Sequence, residues 1–254
     1  MRKYYRIYLL YWLITCCFTV NAQTILKYNV NASNGWIPYF ISNSPDNPGI
    51  IGELVPLILS QANISIENHN FPPKRTNYAL ENGLLDFDIV SPSWFENQDL
   101  GDDFTQSIPI LTIQENIITL DKNAHKWQDI NQIKDKRIGT IRGYLYHNDT
   151  NFIRVDFASE RELIKALHRE RVGAAISGDL PALYWAKQLN IPITLAAIHS
   201  KGELVLRLRK QHAILLPQIN AAIIQLQQNG TVNKMINKYT KKKYLINYNE
   251  LTRV

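Results

Sequence analysis

PPKRTNYALENGLLDFDIVSPSWF, Pro72 to Phe95, decides the fold. Tyr78, Leu80, Leu84 and Leu85 stand close to helical spacing, and Pro72-Pro73 blocks any helix running in from upstream. Asn82-Gly83 ends the helix, because Gly takes the left-handed cap at no steric cost. Phe87, Ile89 and Val90 form a short apolar run that reads as a buried strand. It stops at Ser91-Pro92-Ser93, where small polar residues leave backbone groups free. Ligands bind at that end of open α/β sheets, so Ser91 and Ser93 are candidate ligand contacts.

The same grammar recurs from Glu160 to Trp185, ERELIKALHRERVGAAISGDLPALYW. Leu163, Ile164 and Leu167 mark a helix, Val172 to Ile176 a strand, and Ser177-Gly178-Asp179 its open end. Two such units with polar tips predict an α/β fold of two similar lobes facing each other. The alternative is chance, since short apolar runs follow helices in any α/β protein.

Working outward, Thr24 to Val30 reads as the first strand, and Ala32 to Tyr39 as a loop leaving it. Trp36 stands just beyond the strand end, as a ligand wall or as loop packing; Tyr39 is expected in the core. A helix is expected from Gly49-Ile50-Ile51-Gly52-Glu53-Leu54 to about Ala62, with Pro56 in its first turn, where a missing N–H costs nothing. Ile64 to Glu67 is the expected second strand. Ile110 to Leu120 reads as a long extended run, Lys126 to Ile133 as a short helix, and Arg137 to Ile141 as a strand. That strand ends at Arg142-Gly143-Tyr144. A helix following it would leave backbone N–H groups free for an anion, which makes Gly143 a candidate contact.

Met1 to Ala22 is expected to be a secretory signal peptide: a basic start, an apolar run from Ile7 to Val20, and Ala22 at the cleavage point. An uncleaved anchor is the alternative. Both cysteines, Cys16 and Cys17, fall in this segment. After cleavage the chain would have no disulfide, thiolate metal site or Cys nucleophile, and would rest on its core alone.

The composition argues against several functions. The net charge of +6 owes part to Arg2, Lys3 and Arg6, and no dense Lys/Arg stripe with interleaved aromatics remains, so no nucleic-acid partner is expected. His69, His125, His147, His168, His199 and His212 include no His-x-x-x-His pair, and no Gly-x-Ser-x-Gly elbow, phosphate loop or dinucleotide loop occurs. Asp86 and Asp88 pair at spacing two on a strand, where a turn role for Asp86 outweighs acid–base work. Neither an enzyme nor a cofactor is expected.

In order and spacing, the chain resembles the bacterial extracellular solute-binding proteins of family 3, the polar-amino-acid receptors of import systems. Gly49-x-x-x-Glu53-Leu54 resembles a helix start of that family, with Glu for Asp. Ala79-Leu80-x-x-Gly83-x-x-Asp86 matches its first helix–turn–strand unit, and Phe104-Thr105-x-x-x-Pro109 its strand crossing into the second lobe. Lys136-Arg137-Ile138-Gly139 with Gly143, Leu204 to Lys210, and Gln228-Asn229-Gly230-Thr231 to Lys238-Tyr239 match later pieces. The resemblance implies a two-lobed type II periplasmic-binding-protein-like fold joined by two hinge strands. Residues 23–114 and 203–254 would form lobe 1 and 115–202 lobe 2, with hinges near Ile113–Ile117 and Ile198–Glu203. It further implies a periplasmic monomer that captures a small polar ligand, amino-acid-like or an amine, by hinge closure. The membrane partner would be an ABC-transporter component or a sensor.

Departures from the family pattern are equally informative. The Arg that clamps a ligand carboxylate after the first Ser-bearing tip is missing from Ser93-Trp94-Phe95-Glu96-Asn97-Gln98, and Tyr144 replaces a hydroxyl residue after Gly143. Glu170 and Gly173 stand where the family has Gly and Asp. Asp179 matches the ammonium-binding Asp, and is also suited to cap the helix from Leu180. Arg75 or Arg142 could substitute for the clamp; otherwise the ligand lacks an α-carboxylate. The competing expectation is a ligand-free sensor-accessory protein that keeps the fold. No appended catalytic domain is expected, and the basic tail from Lys241 to Val254 is expected to wrap back on the first lobe.

Overall fold

A computed structural model describes residues 23–29, 36–42 and 44–240. The expected signal peptide with both cysteines, the loop from Ala32 to Gly35 and the tail from Lys241 lie outside the described residues.

The first half is a β–α–β–α–β run: β1 (Thr24–Asn29), α1 (Ile50–Gln61), β2 (Ile64–His69), α2 (Pro73–Glu81) and β3 (Phe87–Val90). Parallel strands need crossover helices, and α1 and α2 supply them. β1 pairs with β2 from Thr24↔Ile64 to Asn29↔His69, and meets β3 at Tyr28↔Phe87, whose rings stack at 4.5 Å. Gly83 closes α2 at φ 72°, as the Asn82-Gly83 pair predicts.

The chain then crosses through β4 (Phe104–Gln106) and β5 (Leu111–Leu120) into β6 (Arg137–Ile141), β7 (Ile153–Phe157), α3 (Glu160–His168), β8 (Ala174–Gly178) and α4 (Asp179–Leu189). It returns along β9 (Ile193–Arg209), a strand of 17 residues. α5 (Leu216–Gln228) and α6 (Thr231–Thr240) then pack on α1. Among the described residues the strand order is β2-β1-β3-β9-β5-β8-β6-β7, with β4 also on β9. β9 therefore serves both halves: Val205–Arg209 pair with β3 and β4, and Ile193–Leu204 with β5.

Each half has an apolar interior, and Leu180 of α4 in the second half joins that of the first. Leu26, Ile50, Leu54, Ile58, Phe87, Leu206 and Ile223 belong to the first, all almost fully buried. Ile118, Leu163, Ile164 and Leu167 fill one face of the second half, and Ile117, Ile138 and Ile176 the other. Burial at ~25 cal/mol per Å² makes these interiors the main stabilising term.

Three sequence expectations are corrected. Pro56 lies inside α1 rather than in its first turn. α1 starts early because the Pro38 and Tyr39 carbonyls accept from Ile50 and Ile51 N–H (3.0 Å each), satisfying donors that a helix start leaves open. Lys126 to Ile133 is not one helix: two short turns, Asp121–Lys126 and Ile130–Ile133, flank Trp127, and Asp129 caps the second with its side chain. No helix follows Gly143. The chain turns through 144–151 into β7, and Arg154 donates to the Ile141 and Tyr144 carbonyls (3.2 Å each). The anion site expected there therefore has no helix N-terminus.

Gly49 holds the α1 start at φ 100°, and a Cβ there would stand 2.4 Å from the Tyr39 carbonyl oxygen. Gly49→Ala should lower unfolding stability by about 2 kcal/mol or more, through strain and loss of the Pro38–Tyr39 cap. Urea unfolding checks this: an unchanged midpoint would contradict it.

Candidate functional site

A cavity of about 120 Å³ lies where the strand ends of the two halves meet. The first half contributes Tyr28 and Asn29 from the end of β1, Trp36 and Phe40, Thr76 and Asn77 from α2, Asp88 to Val90 from β3, and Trp94. The second contributes Glu115 from β5, Gly143 to Tyr146, Glu160 from α3, and Ser177-Gly178 from β8.

Its first-half polar groups are largely committed to the fold. Asn29 Nδ2 donates to the Phe71 carbonyl (3.0 Å) and Thr76 Oγ1 (2.6 Å), and Asn29 Oδ1 accepts from Phe71 N–H (2.8 Å). These bonds tie the start of α2 to the end of β1. Asp88 accepts a bidentate pair from Arg207 on β9, Nε to Oδ1 at 2.9 Å and Nη2 to Oδ2 at 2.7 Å. The guanidinium stands 5.0 Å from the Phe95 ring centre and 4.8 Å from that of Phe104. This charge is therefore balanced within the protein.

The second half holds two further carboxylates. Glu160 is the first residue of α3, behind Ser159, whose Oγ accepts from Glu162 N–H at 3.3 Å. It is 2% exposed, and Ser177 Oγ donates to its Oε2 at 3.0 Å. Burial pushes its carboxyl up to about 8, Glu115 pushes the same way, and the Ser177 bond opposes both. Glu115, also buried, accepts from Ser200 Oγ at 2.7 Å and has His199 Nδ1 at 3.7 Å. Tyr146 is buried beside both; burial holds its hydroxyl well above the usual range, and its oxygen accepts from Ile141 N–H at 3.0 Å.

Aromatic rings form the remaining wall. Trp36 packs on Tyr39 (4.5 Å) and Phe40 (5.8 Å) and meets Trp94 edge-on at 6.1 Å. The Trp94 indole N–H is buried without a partner among the described residues.

Of the residues singled out from sequence, Trp36 and Gly143 line the cavity. Ser91 is fully buried; it pairs with Ser93 (2.8 Å), and both pack against Gly202 on β9, where a Cβ would stand 2.6 Å from either Oγ. Neither serine lines the cavity, nor do Arg75 and Arg142, whose side chains are exposed. Asp179 is buried as the first residue of α4, with its Oδ1 accepting from Leu180 N–H at 2.7 Å, and it does not line the cavity. Tyr39 is in the core, as expected. Sequence reasoning did not pick out Glu115, Glu160, Tyr146 or Trp94 as site residues. The signal for Glu160 was available, since the helix that opens the second repeat begins with it. Among the described residues, no group of three His, Cys, Asp or Glu could hold a metal ion.

The model of the bacterial extracellular solute-binding proteins, family 3, matches residues 28–242. The chain belongs to this family. No curated protein sequence matches it. Among solved structures it is similar to the GluR0 ligand-binding core from Nostoc punctiforme in complex with L-glutamate: 17% identity and TM-score 0.67, covering 86% of this chain and 100% of that one. It is also similar to an arginine transport-system periplasmic binding protein from Legionella pneumophila, with 17% identity and TM-score 0.67 over 85% of this chain and 100% of that one. A third match is an ancestral amino-acid-binding protein, a precursor of cyclohexadienyl dehydratase: 17% identity and TM-score 0.65 over 85% and 96%. At these identities the likeness is one of fold, the two-lobed type II periplasmic binding fold.

The raised carboxyl of Glu160 sets a pH dependence. The folded chain holds this proton up to about pH 8, whereas the unfolded chain releases it near the ordinary value of 4.5. Stability from this group is therefore full below about 4.5 and is lost as pH rises to about 8. Glu160→Gln keeps a carbonyl oxygen for Ser177 and removes the titration. The variant should gain on the parent with rising pH, by on the order of a few kcal/mol at pH 9. Melting curves from pH 4 to 9 check this; a difference that does not grow with pH would contradict it.

Proposed function

We propose that this chain is a periplasmic receptor that captures one small polar solute in the cleft and presents it to an ABC importer. The observation that carries this reading is the cavity itself, walled by both halves and spanned by a hydrogen bond. Asn77 Nδ2 of α2 donates to the Gly143 carbonyl at 3.1 Å. In this reading residues 23–114 and 203–254 form one lobe and 115–202 the other, and capture is a hinge closure about β5 and β9. Two register shifts support a hinge there. One falls between Glu115 and Asn116 and the next between Ile117 and Ile118, within the stretch where β5 pairs with Ile198–Glu203 and just beyond it. A bend at a bulge breaks few ladder bonds.

The receptor acts without chemistry of its own: it binds, closes and is read by a membrane partner as a monomer. Its family and the similar solved structures are mainly binding proteins, and one of the latter is named as a precursor of a dehydratase. That precursor is itself named as an amino-acid-binding protein.

A thermal-shift screen of the purified protein against amino acids, amines and small carboxylates tests the reading. A solute at 100 times its Kd should stabilise the folded state by ~2.7 kcal/mol. Asn77→Ala should weaken that solute a few-fold, by about 1 kcal/mol, because the bond to Gly143 belongs to the closed state. A protein that no compound stabilises would favour the ligand-free accessory role instead.

A further inference from the structure

We infer that the solute is an organic cation with no carboxylate of its own, held by Glu115 and Glu160 against the rings of Trp36, Trp94, Tyr144 and Tyr146. This rests on the reading of the cleft as a solute site and names the class of solute.

Charge decides it first. No Lys, Arg or His is among the residues lining the cavity. The stretch from Val30 to Gly35, which joins β1 to Trp36, contains no charged residue either. An amino-acid carboxylate would therefore meet no cation of its own in the wall: Arg207 is spent on Asp88, and the two other carboxyl groups there, Glu115 and Glu160, offer it no partner. Asp88 is already matched by Arg207, whereas among the described residues Glu160 pairs with no Lys, Arg or His, and Glu115 has only the His199 ring, with Nδ1 at 3.7 Å. Two buried carboxyl groups, close enough for Glu115 to raise the proton affinity of Glu160, call for a positive partner. Burial keeps a proton on Glu160 up to about pH 8, as befits a carboxyl whose counter-ion is yet to arrive.

Hydrogen-bond supply points the same way. The amide and aliphatic hydroxyl donors around the cavity are largely spent, the Asn29 amide on Phe71 and Thr76, the Thr76 hydroxyl on Pro72, one Asn77 N–H on Gly143, and the Ser177 hydroxyl on Glu160, and the tyrosine hydroxyls of the lining are neutral. The Trp94 indole N–H is a single neutral donor, suited to a hydroxyl or carbonyl oxygen and not to a carboxylate that needs a fork. Acceptor capacity remains, because Glu115 and Glu160 each bring two carboxyl oxygens, of which Ser200 and Ser177 each meet one. A solute that fits must bring N–H donors or positive charge. Aromatic rings attract such cations through their electron-rich faces, strongly so where water is excluded.

Isothermal titration at pH 8 tests this with choline, ethanolamine and putrescine beside glycine, L-glutamate and L-arginine. At least one amine should bind, and the amino acids should bind at least tenfold more weakly or not at all. Glu115→Gln and Glu160→Gln should each weaken the amine by roughly tenfold or more. Unliganded melting temperatures at or above the parent's would show that both variants fold. An amino acid that binds more tightly than every amine, or an amine that both variants bind unchanged, overturns the inference while leaving a receptor. Silence from all six probes also overturns it, and the broader screen then decides the receptor reading separately.

Discussion

The structure depends on one ladder, the antiparallel pairing of β5 with β9 from Leu111↔Leu204 to Leu120↔Ile193. Everything on one side of it is built on β1, β2 and β3, and everything on the other on β6, β7 and β8. The ladder is continuous, so the two halves are never far apart, yet it is irregular at Glu115–Asn116 and Ile117–Ile118. It thereby fixes where the strand ends of the two halves confront each other. It also places Glu115 at the irregularity, where a charged side chain on a central strand can reach the cavity.

Carboxylates near the cavity are treated in two ways. Asp88 stands opposite Arg207 in the β3–β9 register, and the pair is bidentate and flanked by rings. A buried pair of this kind adds little net stability, but losing one partner costs about 3–5 kcal/mol. Glu115 and Glu160 accept from neutral hydroxyls, those of Ser200 and Ser177, and Glu115 also has His199 Nδ1 at 3.7 Å. A fold selected for stability alone would not keep two carboxyl groups buried together in this way. A carboxyl as strongly perturbed as that of Glu160, set in a cleft, is a candidate for function.

Much of this was legible in the sequence. Pro72-Pro73, Asn82-Gly83 and the Phe87–Val90 run state α2, its end and β3 in local chemistry, and the second repeat does the same for α3 and β8. The family motifs, loose singly, are specific in order. What local chemistry did not disclose was set by distant contacts. Pro56 fell inside α1 because carbonyls of Pro38 and Tyr39 extended the helix backwards. Ser91 and Ser93 were drawn away from the cavity by the approach of Gly202 on β9, more than a hundred residues on. Arg75 and Arg142 sit close in sequence to cavity residues Thr76 and Gly143, but their side chains point to solvent. Glu115 looked like one more residue of a β-branched run; only the tertiary pairing brings it beside Glu160.

The central claim is that a solute closes the two halves about the β5–β9 ladder. Small-angle X-ray scattering measures this directly, on the purified protein with and without a saturating solute from the screen. The account predicts a smaller radius of gyration with solute bound than without, and loss of that contraction in Glu160→Gln at the same solute concentration. A bound solute that leaves the scattering curve unchanged would contradict it.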